Sequence, residues 1–295
     1  AAAATHAFQH CSELLARELG AGPSRETVAL ADEIKAGVVR PGSKPRPLAL
    51  SRPPRLIGRD LELAALSDGW KRGHVVAVLG EAGIGKSRLL AEFAARHPVA
   101  LSAGARPGDA QVPFALLTRL LRALLADAAA AATAHFPAWV VQQLSHLMPE
   151  LGRPASPSLN ALRLRQALAW VFAHQPSLRQ GVAVIDDLQF ADEATLEVLP
   201  TLLDAQGEPA PRWLLAARTA EMPASLRAAL DGAEPARALQ VRLEPLGVPD
   251  VQALLHSLSL EGLDAAAWAA PLHRHTGGNP MFILQTLLAM GAGPM

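Results

Sequence analysis

The chain has no tyrosine and a single cysteine among its 295 residues, and its 27 basic and 27 acidic residues cancel. Each absence excludes something. A lone Cys11 excludes an intrachain disulfide and fits a reducing, cytoplasmic setting. Zero net charge removes any global field that would draw nucleic acid or an anionic membrane, leaving only local patches. No apolar run approaches the roughly 18 residues of a spanning helix, so no membrane partner is expected. The opening stretch, AAAATHAFQH, lacks the basic start and apolar core of a signal peptide. The missing tyrosine, the excess of Arg over Lys and the wealth of Ala and Leu read together as compositional bias. Apolar residues are plentiful: half the chain is hydrophobic. That is enough to bury a sizeable core in one large domain or two small ones.

The chain is organised around residues 74–87, HVVAVLGEAGIGKS. An apolar, β-branched run from Val75 to Leu79 ends at Gly80, and Gly85, Lys86 and Ser87 follow. This is the phosphate-binding pattern G-x-x-x-x-G-K-[ST], with a strand-like run before it and a helix-like stretch, SRLLAEFAARH, after it. That context argues against an accidental glycine-rich turn. The glycines let the backbone curl with its N–H groups pointing inward, and the positive end of the next helix adds to their field. Gly80, Glu81, Ala82, Gly83, Ile84, Gly85, Lys86, Ser87 and Arg88 are therefore expected to hold the phosphates of ATP or ADP. Lys86 reaches the β- and γ-phosphates, and the Ser87 hydroxyl ligates Mg²⁺.

A second stretch, GVAVIDDLQFAD at 181–192, supplies acids. Val182 to Ile185 read as a buried parallel strand that ends in Asp186 and Asp187. Ligands of open α/β sheets sit at the carboxyl ends of strands, so this strand would deliver its acids beside the phosphate loop. Asp186 is expected in the Mg²⁺ shell. Asp187 is expected to orient or deprotonate the attacking water. Asp192 reads as a helix cap for EATLEVLPTLL.

The rest of the chain reads as scaffold. Residues 1–40 form a helical pair, with Phe8, Cys11, Leu15 and Leu19 on one helix and Val28, Leu30 and Ile34 buried on the next. Residues 41–55, rich in proline, form a linker. Asp60 is expected to cap a helix carrying Leu61, Leu63 and Leu66. Strands are expected at 99–103, 212–218 and 239–243, giving five in all. Helices are expected after Pro113-Phe114, with Leu116, Leu117, Leu120 and Leu121 on their apolar side, and near 137–148 and 159–174. The Ala-rich stretch from Asp127 to His135 is a helix or a loose connection. The C-terminal part is helical. Gly277-Gly278 ends one helix and Pro280 begins the next. His273 and His275, without a third ligand nearby, read as solvated or capping residues.

Several of these stretches carry a family resemblance. IDDLQFAD is similar to the IDDLQWAD signature of STAND ATPases, with Phe190 in place of the usual tryptophan. Ile57-Gly58-Arg59-Asp60 resembles the GRE/GRD element that opens AAA+-like and STAND ATPase domains. HRHTGGNPMFILQTLLAM resembles their GGNPLFLxEL element, where a helical lid follows the sheet. CSELLARELGAGPSRETVALADEIKAG resembles the end of the helical-repeat bacterial transcriptional activator domain.

What the resemblance implies is a P-loop NTPase: a parallel five-stranded α/β sheet flanked by helices. A short helical N-terminal piece precedes it and a helical lid follows. The expected domains are 1–40, 41–55 as linker, 56–245 as the ATPase and 246–295 as a truncated lid. The resemblance places Ile57, Gly58 and Arg59 at the adenine, brings Asn279 or Pro280 to the nucleotide, and makes Arg218 a sensor of the γ-phosphate. The implied function is that of an ATP-binding, slowly hydrolysing, Mg²⁺-dependent switch in a bacterial transcriptional regulator of the LuxR or activator type. Its DNA-binding and sensor domains would lie outside this chain. Self-association through the ATPase domain is the contact expected of it, and no nucleic acid is expected to touch it directly. Alternatives are an AAA+ remodelling or initiator ATPase working as a ring, a small-molecule phosphotransferase, and a non-hydrolysing scaffold.

Overall fold

The computed structural model describes residue 28 and residues 53–73, 75–125, 135–154, 156, 158–203, 212–232, 238–260 and 262–291. The helical pair of residues 1–40 lies outside them except at Val28, which is helical but exposed where burial was expected. The linker is described only from residue 53, and the Ala-rich stretch only at His135. The described residues from 53 to 287 belong to one compact unit.

The core of the larger unit is a sheet of β1 (Val75–Gly80), β2 (Val99–Gly104), β3 (Val182–Asp186), β4 (Arg212–Arg218) and β5 (Ala238–Arg242). The strand order is β2-β3-β4-β1-β5, and every pairing is parallel. All five expected strands are present. The central residues of the three inner strands, β1, β3 and β4, are buried on both faces, which is why those runs are continuously apolar rather than alternating, whereas the edge strands β2 and β5 are only partly buried.

Alternate residues feed two cores. Ala77, Leu79, Ala183, Ile185, Leu215 and Ala217 enter one, with α3 (Ala115–Leu125), α4 (Ala138–Leu144), α5 (Ala161–His174), α7 (Glu193–Leu203) and α8 (Ala224–Gly232); the short α6 (Pro176–Gln180) leads into β3. Val76, Val78, Val182, Val184, Leu214 and Ala216 enter the other, with α1 (Asp60–Lys71) and α2 (Lys86–Ala94). The result is helices on both faces of a parallel sheet, an α/β P-loop NTPase architecture. After β5 the chain is helical: α9 (Val248–Leu258), α10 (Ala265–Thr276) and α11 (Pro280–Gly291). Among the described residues no helix is long and apolar enough to cross a membrane.

One capping expectation is corrected. Asp60 does not cap α1; it is the first helical residue, and Arg59 stands at the cap position without a side-chain cap bond. Leu61, expected on the apolar side, is 85% exposed, whereas Leu63 and Leu66 are buried. Position 61 falls on the opposite side of the helix from 63 and 66, because helical neighbours repeat every three or four residues.

Asp192 does more than expected. Its Oδ1 accepts from the Thr195 N–H at 2.8 Å and its Oδ2 from the Thr195 hydroxyl at 2.6 Å, capping α7. The same carboxylate accepts from the N–H groups of Phe114 at 2.7 Å and Leu116 at 3.4 Å, at the start of α3. One buried acid, 1% exposed, therefore closes two helix N-termini and pins them together. Phe114 sits at φ 61, a backbone region that a bulky residue seldom enters, and its amide bond to Asp192 helps to hold it there. Asp192→Ala removes both caps and orphans buried amides. We expect a loss of roughly 2–4 kcal/mol, readable as a fall in melting temperature of several degrees by calorimetry. Asp192→Asn, which keeps one acceptor, should lose less.

Candidate functional site

Strand order builds the site. β4 lies between β1 and β3, and its last residue, Arg218, is in register with Gly80 at the end of β1. Asp186, ending β3, is in register with Gly104 on the other side. The carboxyl ends of three adjacent strands thus present the phosphate loop, Arg218 and the acids side by side, where open α/β sheets hold ligands.

The loop runs from Glu81 to Gly85. Ile84 is driven into the core beside Leu243 and anchors it. Gly85 then caps α2 in a left-handed conformation, φ 105, with no side chain to occupy the first turn's amides. Those donors and the helix dipole are left for an anion. Lys86 opens α2 and folds back. Its Nζ donates to the Gly80 and Glu81 carbonyls, each at 2.9 Å, and it is only 6% exposed. Burial pulls its pKa below the usual lysine range, and Arg218 pulls the same way, while Asp187, Asp186 and Glu81 oppose them. The charges of Asp186, Asp187 and Arg218 all act on this ammonium.

Ser87 is exposed, and its hydroxyl lies beside the Asp186 carboxylate. Burial raises the pKa of Asp186 above the usual carboxylate range; the nearby Ser87 hydroxyl works against that, and the charge of Asp187 adds to it. A hydroxyl and a carboxylate beside a phosphate loop form the hard oxygen set that Mg²⁺ takes, so these residues fit that ion. Asp187 follows in a left-handed conformation, φ 56, which Asp tolerates better than most side chains. Its amide donates to Asp186 Oδ1 at 2.8 Å. Its own Oδ1 accepts from Gln189 Nε2 at 2.7 Å. Arg218 points its guanidinium at Glu221, 2.9 Å away, across the face of Phe190 at 5.2 Å.

The GRD element arrives from another side. Arg59 is buried, and its Nη2 donates to the carbonyls of Glu244 at 2.7 Å and Ile84 at 3.3 Å, while Nη1 pairs with Glu62 at 3.0 Å. Its charge is committed to tying α1, the loop and the segment after β5 together, so the Arg59 side chain is not free to meet a ligand and only the main chain of this element is. Arg88 pairs with Glu92 along α2 at 3.4 Å.

The lid element also reaches the loop. Asn279 Nδ2 donates to the Ala82 carbonyl at 2.9 Å, and the Met281 N–H donates to the Gly83 carbonyl at 3.2 Å. Pro280, the first residue of α11, lies between these two anchors. Asn279 Oδ1 accepts from the Met281 N–H at 3.0 Å, so the same amide caps α11. Two glycines make the close approach feasible. At Gly83, φ 74, a methyl group would lie 2.6 Å from Met281 Cβ, and at Gly278 it would collide with the Leu246 carbonyl. Asn279→Ala loses the bond to the loop and the cap, a cost of about 1–2 kcal/mol. Asn279→Asp keeps the cap but sets a carboxylate against the Ala82 carbonyl, so we expect chemical denaturation to find it at least as destabilised.

Sequence reasoning singled out the loop, Ser87, Asp186, Asp187, Arg218 and the GRD and GGNP elements. It did not single out Gln189, whose partners are Asp187 and the main chain of Arg218, nor Asp250, against which Gly58 packs. Gln189 lies inside IDDLQFAD, and that placement was the one signal available.

The chain matches the family model described as AAA ATPase domain over residues 55–215. No curated protein matches it. Similar solved structures include a Walker-type ATPase of Pyrococcus abyssi, with 15% identity over 80% of this chain and 67% of that one, at a TM-score of 0.49. A RuvB variant of Thermotoga maritima has 16% identity over 78% of this chain and 60% of that one, at a TM-score of 0.41. The Aeropyrum pernix ORC2 protein, solved with ADPNP and ADP, has 15% identity over 80% of this chain and 62% of that one, at a TM-score of 0.46. The chain thus spans about 60% to 67% of these proteins' lengths.

Proposed function

Because the chain belongs to the AAA ATPase domain family, we propose that residues 56–245 bind ATP with Mg²⁺ and hydrolyse it slowly, and that 246–295 act as a lid that responds. The observation that carries this reading is the convergence of Lys86, Ser87, Asp186, Asp187 and Arg218 at the carboxyl ends of three adjacent strands.

The residues divide the work by chemistry. The loop amides and Lys86 hold the phosphates, for which Lys86 exchanges the carbonyls of Gly80 and Glu81 for phosphate oxygens. Ser87 and Asp186 would hold Mg²⁺, which when bound neutralises charge on the β- and γ-oxygens. Asp187 takes the proton of the attacking water as the new O–P bond forms and the bond from the γ-phosphorus to the bridging oxygen breaks. Arg218 leaves Glu221 to meet the terminal phosphate. Ile57, Gly58 and the Arg59 main chain border the adenine, with Pro280 closing over it.

The switch reading is supported by the bonds from Asn279 and Met281 to the loop: a loop rearranged around phosphates cannot keep both without moving α11. The placement in a bacterial transcriptional regulator is supported by the resemblance of residues 11–37 and of IDDLQFAD. Self-association through this domain, and DNA-binding and sensor domains elsewhere in the parent protein, belong to the same reading. The test is to denature the purified chain, identify the released nucleotide by chromatography, and measure Mg²⁺-dependent phosphate release. ADP or ATP with slow turnover is expected. A chain that carries no nucleotide and shows no thermal shift with Mg-ATP would rule the reading out.

A further inference from the structure

Gln189 carries two bonds that no other side chain in the site combines. Its Nε2 donates to Asp187 Oδ1 at 2.7 Å, and its Oε1 accepts from the Arg218 N–H at 3.1 Å. The orientation of the amide follows from its partners. A carboxylate oxygen there needs a donor, and a backbone N–H needs an acceptor, so flipping the amide would break both bonds. Gln189 therefore ties the acid after β3 to the end of β4, and it does so at the point where Arg218 leaves the sheet. Phe190, next in the chain, lies 5.2 Å beneath the Arg218 guanidinium and makes a second link between the same two elements.

From this geometry we infer that Gln189 is a positioning residue for hydrolysis, aiming Asp187 and coupling its aim to the position of Arg218. The inference rests on the ATPase reading above. Asp187 sits in a left-handed turn, so its backbone alone leaves the carboxylate free to rotate about its side-chain torsions. The Gln189 bond fixes one oxygen and leaves the other for the water. Arg218, 30% exposed and held by a half-exposed Glu221, is free to swing toward a phosphate. Any shift of its main chain in doing so is passed through the Gln189 amide to Asp187. The terminal phosphate would thus be felt by the base as well as by the sensor.

The test compares Gln189→Ala and the near-isosteric Gln189→Glu in the full chain. Glu keeps an acceptor for the Arg218 N–H but has no donor for Asp187. Both variants should lose roughly ten- to a hundredfold in kcat, with the dissociation constant for a fluorescent ATP analogue close to that of the parent; Gln189→Ala should also keep the parent's melting temperature, whereas Gln189→Glu, which sets a second carboxylate against Asp187, should melt lower. In the Asp187→Asn background, Gln189→Ala should cost no further activity, since the group it aims is already gone. Unchanged kcat in Gln189→Ala would overturn the positioning role, as would equal losses in the presence and absence of Asp187. A parent chain that binds Mg-ATP yet releases no phosphate would instead overturn the hydrolysis reading, and this inference with it.

Discussion

Lys86→Ala should empty the site. Nucleotide that co-purifies with the parent chain should be absent from the variant, and its affinity for Mg-ATP should fall by roughly a hundred- to a ten-thousandfold. The magnitude follows from the bonds lost. Each hydrogen bond from a charged donor contributes about 1.5–3 kcal/mol, and an ammonium reaching the β- and γ-phosphates makes two. The structure adds a reason to expect the upper part of that range. Lys86 is already desolvated, so a phosphate meeting it faces a charge that water does not screen. Folding is the control. The lysine now satisfies the Gly80 and Glu81 carbonyls, and its loss leaves them dependent on water. Glu81 is exposed and its carbonyl can turn to water, whereas Gly80 is buried, so the melting temperature without nucleotide should fall modestly while the stabilisation by added Mg-ATP disappears. A variant that keeps its nucleotide would mean that the loop amides alone hold the phosphates.

How much of this could be read before the structure depends on the range of the interaction. The three inner strands were legible because each is a short apolar run ending at a charge or a glycine, and burial on both faces leaves no polar residue to blur the pattern; the edge strands β2 and β5 carry Ser102 and Gln240 and were legible by their place in the order of the chain. The phosphate loop was legible because its chemistry is local: glycines, lysine and serine act within eight residues of one another. Arg59 was singled out for the right neighbourhood, but its task was hidden. Glu244, whose carbonyl it holds, is 185 residues away, and only β5 pairing beside β1 brings the two together. Asp192 shows the same limit. Its bond to Thr195 repeats the local cap that sequence predicts, whereas its bond to Phe114 spans 78 residues and has no local signature. Leu61 was misplaced for another reason. An apolar residue at a helix start satisfies a loose count of hydrophobic positions, and only the phase against Leu63 and Leu66 shows that it faces water.

Asp187→Asn should separate binding from chemistry. The amide is nearly the same size and its Oδ1 can still accept from Gln189, so the turn at φ 56 and the link to Arg218 stay in place. What it cannot do is accept a proton. General-base assistance contributes about 10²–10⁴-fold, so kcat should fall by that factor while ATP affinity holds or rises slightly, since one negative charge near the phosphates has gone. Asp186→Asn makes the contrast. That residue lies beside Ser87 and fits the Mg²⁺ shell, so its loss should raise the Mg²⁺ concentration needed for half-maximal activity, whereas Asp187→Asn should leave it unmoved. The two acids are neighbours in sequence, yet their surroundings divide them: one faces the serine of the loop, the other the amide of Gln189. If Asp187→Asn turned over at the parent's rate, the water would have to be activated by another group or by the phosphate itself, and the role of Gln189 would fall with it. If both variants instead shifted the Mg²⁺ requirement alike, the two carboxylates would share the metal, and the division drawn from their hydrogen bonds would be wrong.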